Sequence, residues 1–482
     1  MVPNLKIDEA DLGSAMMLAH RIYNQCFPVE GCKTPGLVMF GEQLFEWYGG
    51  VRWVPRSKAW LKKTVLEALK TVVFHGSDDH GQFEKGVNID RGMTEDVVYF
   101  IELEASATMP TTPFWLEPAE GLPNPGHVIP FANCLVDVMA SVEKGEIVTM
   151  DHPGRLFTVG SLTVDWDPEA TCPTWDRCMA EWGGGDPQWT ELRERAYGYS
   201  LMGTREFEKW LFEYGKARGG KGMGIRVLEK LLGDHAVIGT DGINLNKTHA
   251  LQNKRLAQCL VINEAHSLKG HQAARLSSLL KQIVGRDRIE VDIKYGEIMS
   301  HRFPAFPIIQ ANEIVRLPNS GRALSCKMLP LPFDVSFVGK EDPNLEAKLA
   351  AELPGIAKRL VEAAIRLMGA KTIEERWPLP ERSQQLLETY EVQTNPWDVF
   401  LNRYFVEDPD GFVANGSLHA MRTRFEGEID DPLVFQKSTG GRVLQERFSQ
   451  ALRQHSSWVI TPARRNKNTI RGLAGLRLKE EE

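Results

Sequence analysis

Residues 215–222 read Gly-Lys-Ala-Arg-Gly-Gly-Lys-Gly, with four glycines among eight positions. Few backbones can use such a run. Glycine weakens the interior of a helix or strand, because it loses the most conformational freedom on folding, but it suits a tight turn. The run follows an apolar segment of strand length, WLFEYG, and precedes a helical pattern, GIRVLEKLLG, that Gly233 ends. Strand, glycine-rich turn and helix start in that order make a phosphate cradle. Backbone N–H groups turn inward, the helix end adds partial positive charge, and Lys221 supplies a full charge for the β- and γ-phosphates. Gly215, Lys216, Ala217, Arg218, Gly219, Gly220, Lys221, Gly222 and Met223 are therefore the expected nucleotide-binding residues. One position departs from the pattern: Gly222 stands where a Ser or Thr hydroxyl ordinarily meets Mg²⁺. The plain alternative is a strand-to-helix turn with a surface lysine.

Downstream, apolar runs of strand length alternate with helical patterns. CLVINE, FPIIQAN and MLPLPF read as buried strands, HQAARLSSLLKQIVG as a helix, and the chain after Glu352 as a helix to about residue 370. This alternation predicts a parallel sheet covered by helices. Two strands end in polar groups. Asn263 and Glu264 close the first, which is expected beside WLFEYG, to hold Mg²⁺ and, through Glu264, to activate water. Asn312 closes the second and would face the γ-phosphate or that water. Each signal is weak alone, since a polar residue often ends a strand or caps a loop. In this order they point to one ATPase core using ATP and Mg²⁺.

The flanks are less regular. QLFEWY-Gly49-Gly50-VRWV reads as a hairpin, residues 58–74 as an amphipathic helix, 110–125 as a Pro-rich loop and 151–173 as turn-rich. A helical stretch follows near 175–200, and KTIEERWPLPERS reads as a linker. Residues 442–479 hold nine Lys and Arg against one acid, Glu446, although the whole chain carries a net charge of −7. That balance excludes a protein that coats nucleic acid by bulk charge and leaves a local basic surface. Two short strands with a basic tip there would form a β-wing carrying Arg464, Arg465, Lys467 and Arg471. Seven cysteines without framework spacing argue for idle thiols. No leader pattern and no membrane-length apolar run is visible, so the expected place is the cytoplasm, without membrane contact. The length, 482 residues, calls for several domains.

With these residues in hand, the sequence resembles the superfamily-three helicases of the poxvirus and phage–plasmid primase-associated type, over most of its length. IPFANCLVDV is similar to the family's Asn-Gly and Leu-Asp segment, with Cys134 in place of Gly and Val136-Asp137 in place of Leu-Asp. Trp166-Asp167-Pro168-Glu169-Ala170 and Pro173-Thr174-Trp175 resemble its lead-in. The stretch from Leu280-Lys281-Gln282 through Gly285 and Asp287 to Lys294-Tyr295 resembles its extra motif, and Glu352-Leu353-Pro354-Gly355-Ile356 its closing helix. The resemblance implies an α/β fold with an AAA+-like phosphate-loop ATPase core at 205–385. An α+β accessory domain at 1–150 and a helical oligomerisation segment at 151–204 would precede it, and a winged-helix DNA-binding domain at 386–482 would follow. It further implies a homohexameric ring that moves three-prime to five-prime on single-stranded or forked DNA, working beside a separate primase or polymerase in the cytoplasm of a bacterial host cell. Lys294 matches the family's pore residue. Lys327 matches the arginine that reaches the neighbouring subunit's γ-phosphate, with Arg322 nearby. Residues 1–150 are too short for a fused primase and show no convincing acid pair for metal. Gly222 and Lys327 favour one rival, an initiator or loading factor with a weak or decayed ATPase. A metabolic or signalling ATPase without DNA contact is a second rival.

Overall fold

A strand that is buried on both faces needs apolar residues at successive positions, and four such runs build the centre of the molecule. The computed structural model describes residues 6–8, 14–78, 81–86, 89–107, 109, 111–151, 154–247, 249–263, 265, 268, 270–294, 298–315, 317, 322–429, 434–435, 448–456, 458–465 and 470–479. The four runs are β1 (Trp210–Gly215), β3 (Cys259–Asn263), β4 (Phe306–Ala311) and β5 (Met328–Phe333). A fifth strand, β2 (Val237–Asp241), was not anticipated: it forms an edge, carries Gly239 and leaves two of its residues unburied in sequence, so it lacks the apolar signature. The sheet order is β2-β3-β4-β1-β5, and every pair is parallel. This corrects the expectation that the Asn263 strand lies beside WLFEYG, because β4 lies between them. The apolar period of a strand fixes its faces and carries no information about its neighbours.

Alternate residues of each strand feed opposite cores. Leu211, Val261, Ile308, Leu329 and Leu331 face a core that includes Trp175, Trp182, Trp189, Tyr197, Ile356 and Leu360. Phe212, Leu260, Ile262, Ile309 and Met328 face the other, with Leu276, Leu280 and Tyr390. The helices of the first face are α1 (Pro173–Trp182), α2 (Pro187–Leu201), α3 (Lys221–Leu232), α5 (Leu345–Ala351) and α6 (Leu353–Gly369). The second face is covered by α4 (Gly270–Val284) and α7 (Glu381–Thr394). A hairpin of Arg288–Val291 and Met299–Arg302 projects between α4 and β4 in the chain.

The Gly49-Gly50 hairpin forms as read, with both glycines at positive φ (65 and 75°) and Trp47 opposite Trp53. The helix expected over 58–74 ends earlier, as Lys58–Lys70. The stretch read as a linker is in part structured. Thr372 and Glu375 form a capping box on the short helix Ile373–Arg376, and Trp377 is buried. The two strands expected in the basic tail form, Thr461–Arg465 pairing antiparallel with Ile470–Leu478, and a third strand from before the tail, Phe405–Ala414, pairs with the other side of Ile470–Leu478. This sheet packs with an aromatic core of Trp397, Phe400, Phe405, Phe425, Phe435 and Phe448. Among the described residues, no helix is long and apolar enough to cross a membrane.

Candidate functional site

Because the central strands all run one way, their C-terminal ends meet along a single edge. There Gly215 pairs with Phe333, Tyr214 with Ala311 and Asn263 with Gln310. The glycine-rich residues leave β1 at this edge and enter α3 at Lys221. Two glycines are required by geometry. Gly215 has φ 137°, and a Cβ on it would sit 2.2 Å from the Phe333 carbonyl oxygen. Gly220 has φ 98°, and its Cβ would strike the Trp182 indole at 2.4 Å. Arg218 is held left-handed at φ 59° without that freedom. The chain after β5 props the turn: Phe337 N–H donates to the Arg218 carbonyl (3.1 Å), and the Ser336 hydroxyl donates to the Ala217 carbonyl (2.9 Å).

Lys221 is turned inward and is 9% exposed. Its ammonium donates to the carbonyls of Gly215 (2.7 Å) and Lys216 (2.8 Å) and to Asn312 Oδ1 (3.0 Å). None of these acceptors carries a charge. Burial pushes the pKa of this ammonium below the ordinary lysine value, and the Glu213 carboxylate pulls it back up. Glu213 itself lies on β1 with no exposure. It accepts from Arg193 Nε (3.0 Å), the Tyr197 hydroxyl (3.0 Å) and Gln310 Nε2 (2.5 Å). The rings of Trp182, Trp189, Tyr197 and Phe333 surround the Arg193 guanidinium at 5.0–5.5 Å.

Above this layer opens a cavity of about 870 Å³, lined by residues 217–223 of the turn and helix start, by Asn263, Gln310 and Asn312, and by Trp182, Phe337, Pro343 and Leu345. That volume is in the range of small-molecule sites. Cations on its wall are Arg177, Arg218, Lys221, Arg226, Lys340 and Lys348, interspersed with Glu181, Glu341, Asp342 and Glu346. Trp182 and Phe337 lie against the turn itself, Trp182 at Gly220 and Phe337 through its hydrogen bond to Arg218, so polar and aromatic surface share that end of the cavity. The lining offers little to Mg²⁺. Gly222 has no side-chain oxygen to give, and among the described residues, which leave out Glu264, no group of three or more His, Cys, Asp or Glu is placed to hold a metal.

The expected site residues that are described fall into four places. Residues 215–223, Asn263 and Asn312 converge on the cavity edge, while Glu264 lies outside the described residues. Lys327 stands at the opposite edge, just before Met328, which pairs with Trp210 at the start of β1. Its ammonium meets Glu208 at 2.5 Å, and Arg322 begins the short helix Arg322–Ser325 at that same edge. A six-residue strand is about 20 Å long, so Lys327 lies about that far from the cavity edge. Lys294 is exposed in the connection of the projecting hairpin, its backbone N–H donating to Gln252 Oε1 (3.1 Å). Arg464 lies directly opposite Arg471 on the terminal sheet, the Arg465 guanidinium covers the Phe412 ring at 4.9 Å, and Lys467 lies outside the described residues.

Sequence reasoning missed Arg193, Tyr197, Glu213 and Gln310. The available signal was a carboxylate inside an apolar strand, which requires a buried partner. The distant motif segments do come together. Asn133 and Trp166 exchange two hydrogen bonds (2.8 and 3.1 Å), and the Glu352 carboxylate accepts from the backbone N–H groups of Thr174 and Trp175 at the start of α1.

No family model and no curated protein matches the chain. Among solved structures it is similar to the C-terminal region of NrS-1. An A-form apo structure of that region shares 12% identity at a TM-score of 0.46, covering 96% of this chain and 99% of that one. A further apo structure shares 12% identity at a TM-score of 0.44, covering 88% and 100%.

Proposed function

We propose that this chain is an ATP-driven motor that assembles as a ring, homohexameric by the family resemblance, and translocates on single-stranded DNA as a replicative helicase of a phage, plasmid or related mobile element. The observation that carries the reading is the buried Lys221 ammonium, cradled by glycines and held only by neutral oxygens. A phosphate oxygen is a stronger acceptor for an ammonium than a carbonyl or an amide, because both partners then carry charge. Lys221 and the amides of residues 216–222 hold the phosphates, and Asn312 moves from the lysine to the attacking water or γ-phosphate. Glu264 activates that water, with Asn263 beside it. Lys327 or Arg322, at the far edge of the sheet, completes the site of the neighbouring subunit, a placement that suits action in trans only. Lys294 grips the DNA backbone from the hairpin, and the basic residues of the terminal sheet add affinity, both through phosphate contacts that do not read sequence. Movement is three-prime to five-prime.

The test is ATP hydrolysis with and without single-stranded DNA, comparing the natural chain with Lys221→Ala. DNA should stimulate turnover, and the variant should lose it by about 100-fold or more, the scale expected on removing a principal phosphate contact. Turnover that survives in Lys221→Ala would sink the reading. A second reading, an initiator or loading factor with a decayed ATPase, is favoured by Gly222 and by the ion pair that occupies Lys327. It predicts salt-sensitive DNA binding and nucleotide binding without turnover.

A further inference from the structure

A phosphate loop of ordinary composition presents a hydroxyl to the metal at the position held here by Gly222. The direction in which a side chain at 222 would grow is open. The nearest atom to an ideal Cβ there is Nη1 of Arg226, at 3.8 Å. Residues 222 and 226 are four apart on α3 and so share a face of the helix. Arg226 is half-exposed, lines the cavity and meets Glu346 Oε2 at 3.1 Å. Glu346 also has Lys230, at 3.2 Å from its other oxygen, so it keeps a cation if Arg226 turns away.

The oxygen donors described along the cavity edge are a poor match for a small hard cation, which prefers carboxylate and water oxygens in near-octahedral array. Asn263, Gln310 and Asn312 offer amides, and the carboxylates on the wall are already paired with cations: Glu181 with Arg177 (3.8 Å), Glu341 with Arg218 (4.0 Å), Asp342 with Lys348 (2.7 Å) and Glu346 with Arg226 and Lys230; Glu264 lies outside the described residues. The oxygen of Asn312 already accepts from Lys221. A guanidinium, by contrast, matches phosphate directly, with paired N–H donors in one plane.

We infer that Arg226 takes the place of the metal: its guanidinium covers the open face left by Gly222 and pairs with the β- or γ-phosphate oxygens, so that a nucleoside triphosphate binds without a divalent cation. This rests on the nucleotide-site reading above and goes beyond it. Glu346 holds the arginine ready in the absence of nucleotide and retains Lys230 when it leaves.

The test is calorimetric titration of the full chain with ATP, in excess EDTA and in Mg²⁺, for the natural protein and for Arg226→Ala, Arg226→Lys, Gly222→Thr and Lys221→Ala. The natural protein should bind ATP with similar affinity in both buffers. Arg226→Ala should weaken binding in EDTA by about 10- to 100-fold, the range of a lost charged hydrogen bond, and Arg226→Lys should recover part of it. Gly222→Thr, whose Cβ meets nothing closer than 3.8 Å, should acquire a preference for Mg²⁺. Binding that collapses in EDTA, with Arg226→Ala indistinguishable from the natural protein, would overturn the inference and leave the nucleotide site standing. No binding in either buffer, or unaltered binding by Lys221→Ala, would overturn both.

Discussion

Glu213 and Lys221 lie on two sides of one layer and face opposite requirements. The carboxylate has no exposure and three donors, so its charge is fully compensated only while Arg193, Tyr197 and Gln310 all remain. Removing one member of a buried ion pair strands the other, at a typical cost of about 3–5 kcal/mol. Glu213→Gln is therefore expected to destabilise the protein by that amount in urea unfolding, whereas the pair Arg193→Met with Glu213→Leu should recover most of the loss. A change under about 1 kcal/mol for the single variant, the level of an exposed pair, would mean that the network adds little. That Lys221, Asn263 and Asn312 lie at one sheet edge was legible because each position attaches to a local pattern, a glycine-rich turn or the end of an apolar run. Glu213 could not be assigned, because its meaning depends on Arg193 and Gln310, which reach it from α2 and β4.

At the level of elements, α2 meets α6 through charge as well as apolar packing. Glu194 is 5% exposed in its side chain and lies 3.6 Å from both Arg359 and Arg366. Burial still dominates and raises its pKa from 4.5 to about 7, against the pull of the two arginines. A carboxylate with a raised folded pKa binds more protons folded than unfolded, so its contribution to stability is present at low pH and falls as pH rises through that window. Glu194→Gln removes this titration. From about pH 5 to about pH 7.5 the variant should gain up to about 3 kcal/mol relative to the natural protein, measured as the difference in unfolding free energy. Equal pH profiles would show that the carboxylate is not so confined. The elements themselves were largely legible. Continuous apolar runs gave β1, β3, β4 and β5, and the period of 3.6 gave α3, α4 and α6. β2 escaped because an edge strand with a central glycine has no continuous apolar run. The order of the strands escaped because pairing depends on which loops cross over, and residue pattern says nothing of that.

At the level of the whole molecule, the proposed DNA grip and the proposed nucleotide site belong to different surfaces. Lys294→Ala should weaken binding of single-stranded DNA to a similar degree for every sequence. It should also reduce the slope of log affinity against log salt by about 0.7 per contact removed. Fluorescence anisotropy with oligonucleotides of differing base composition reads both effects, and an unchanged slope would remove the hairpin from the interface. β4 connects the two surfaces. Three residues separate its start from the hairpin strand Met299–Arg302, and Asn312, which follows its last residue, touches Lys221. It is bonded along its length to β3 on one side and β1 on the other, which keeps it from buckling. A segment fixed in this way, about 20 Å long, cannot slide past its neighbours, so any shift imposed at the hairpin end would be shared with β1 and β3, the strands that carry Gly215 and Asn263 to the cavity.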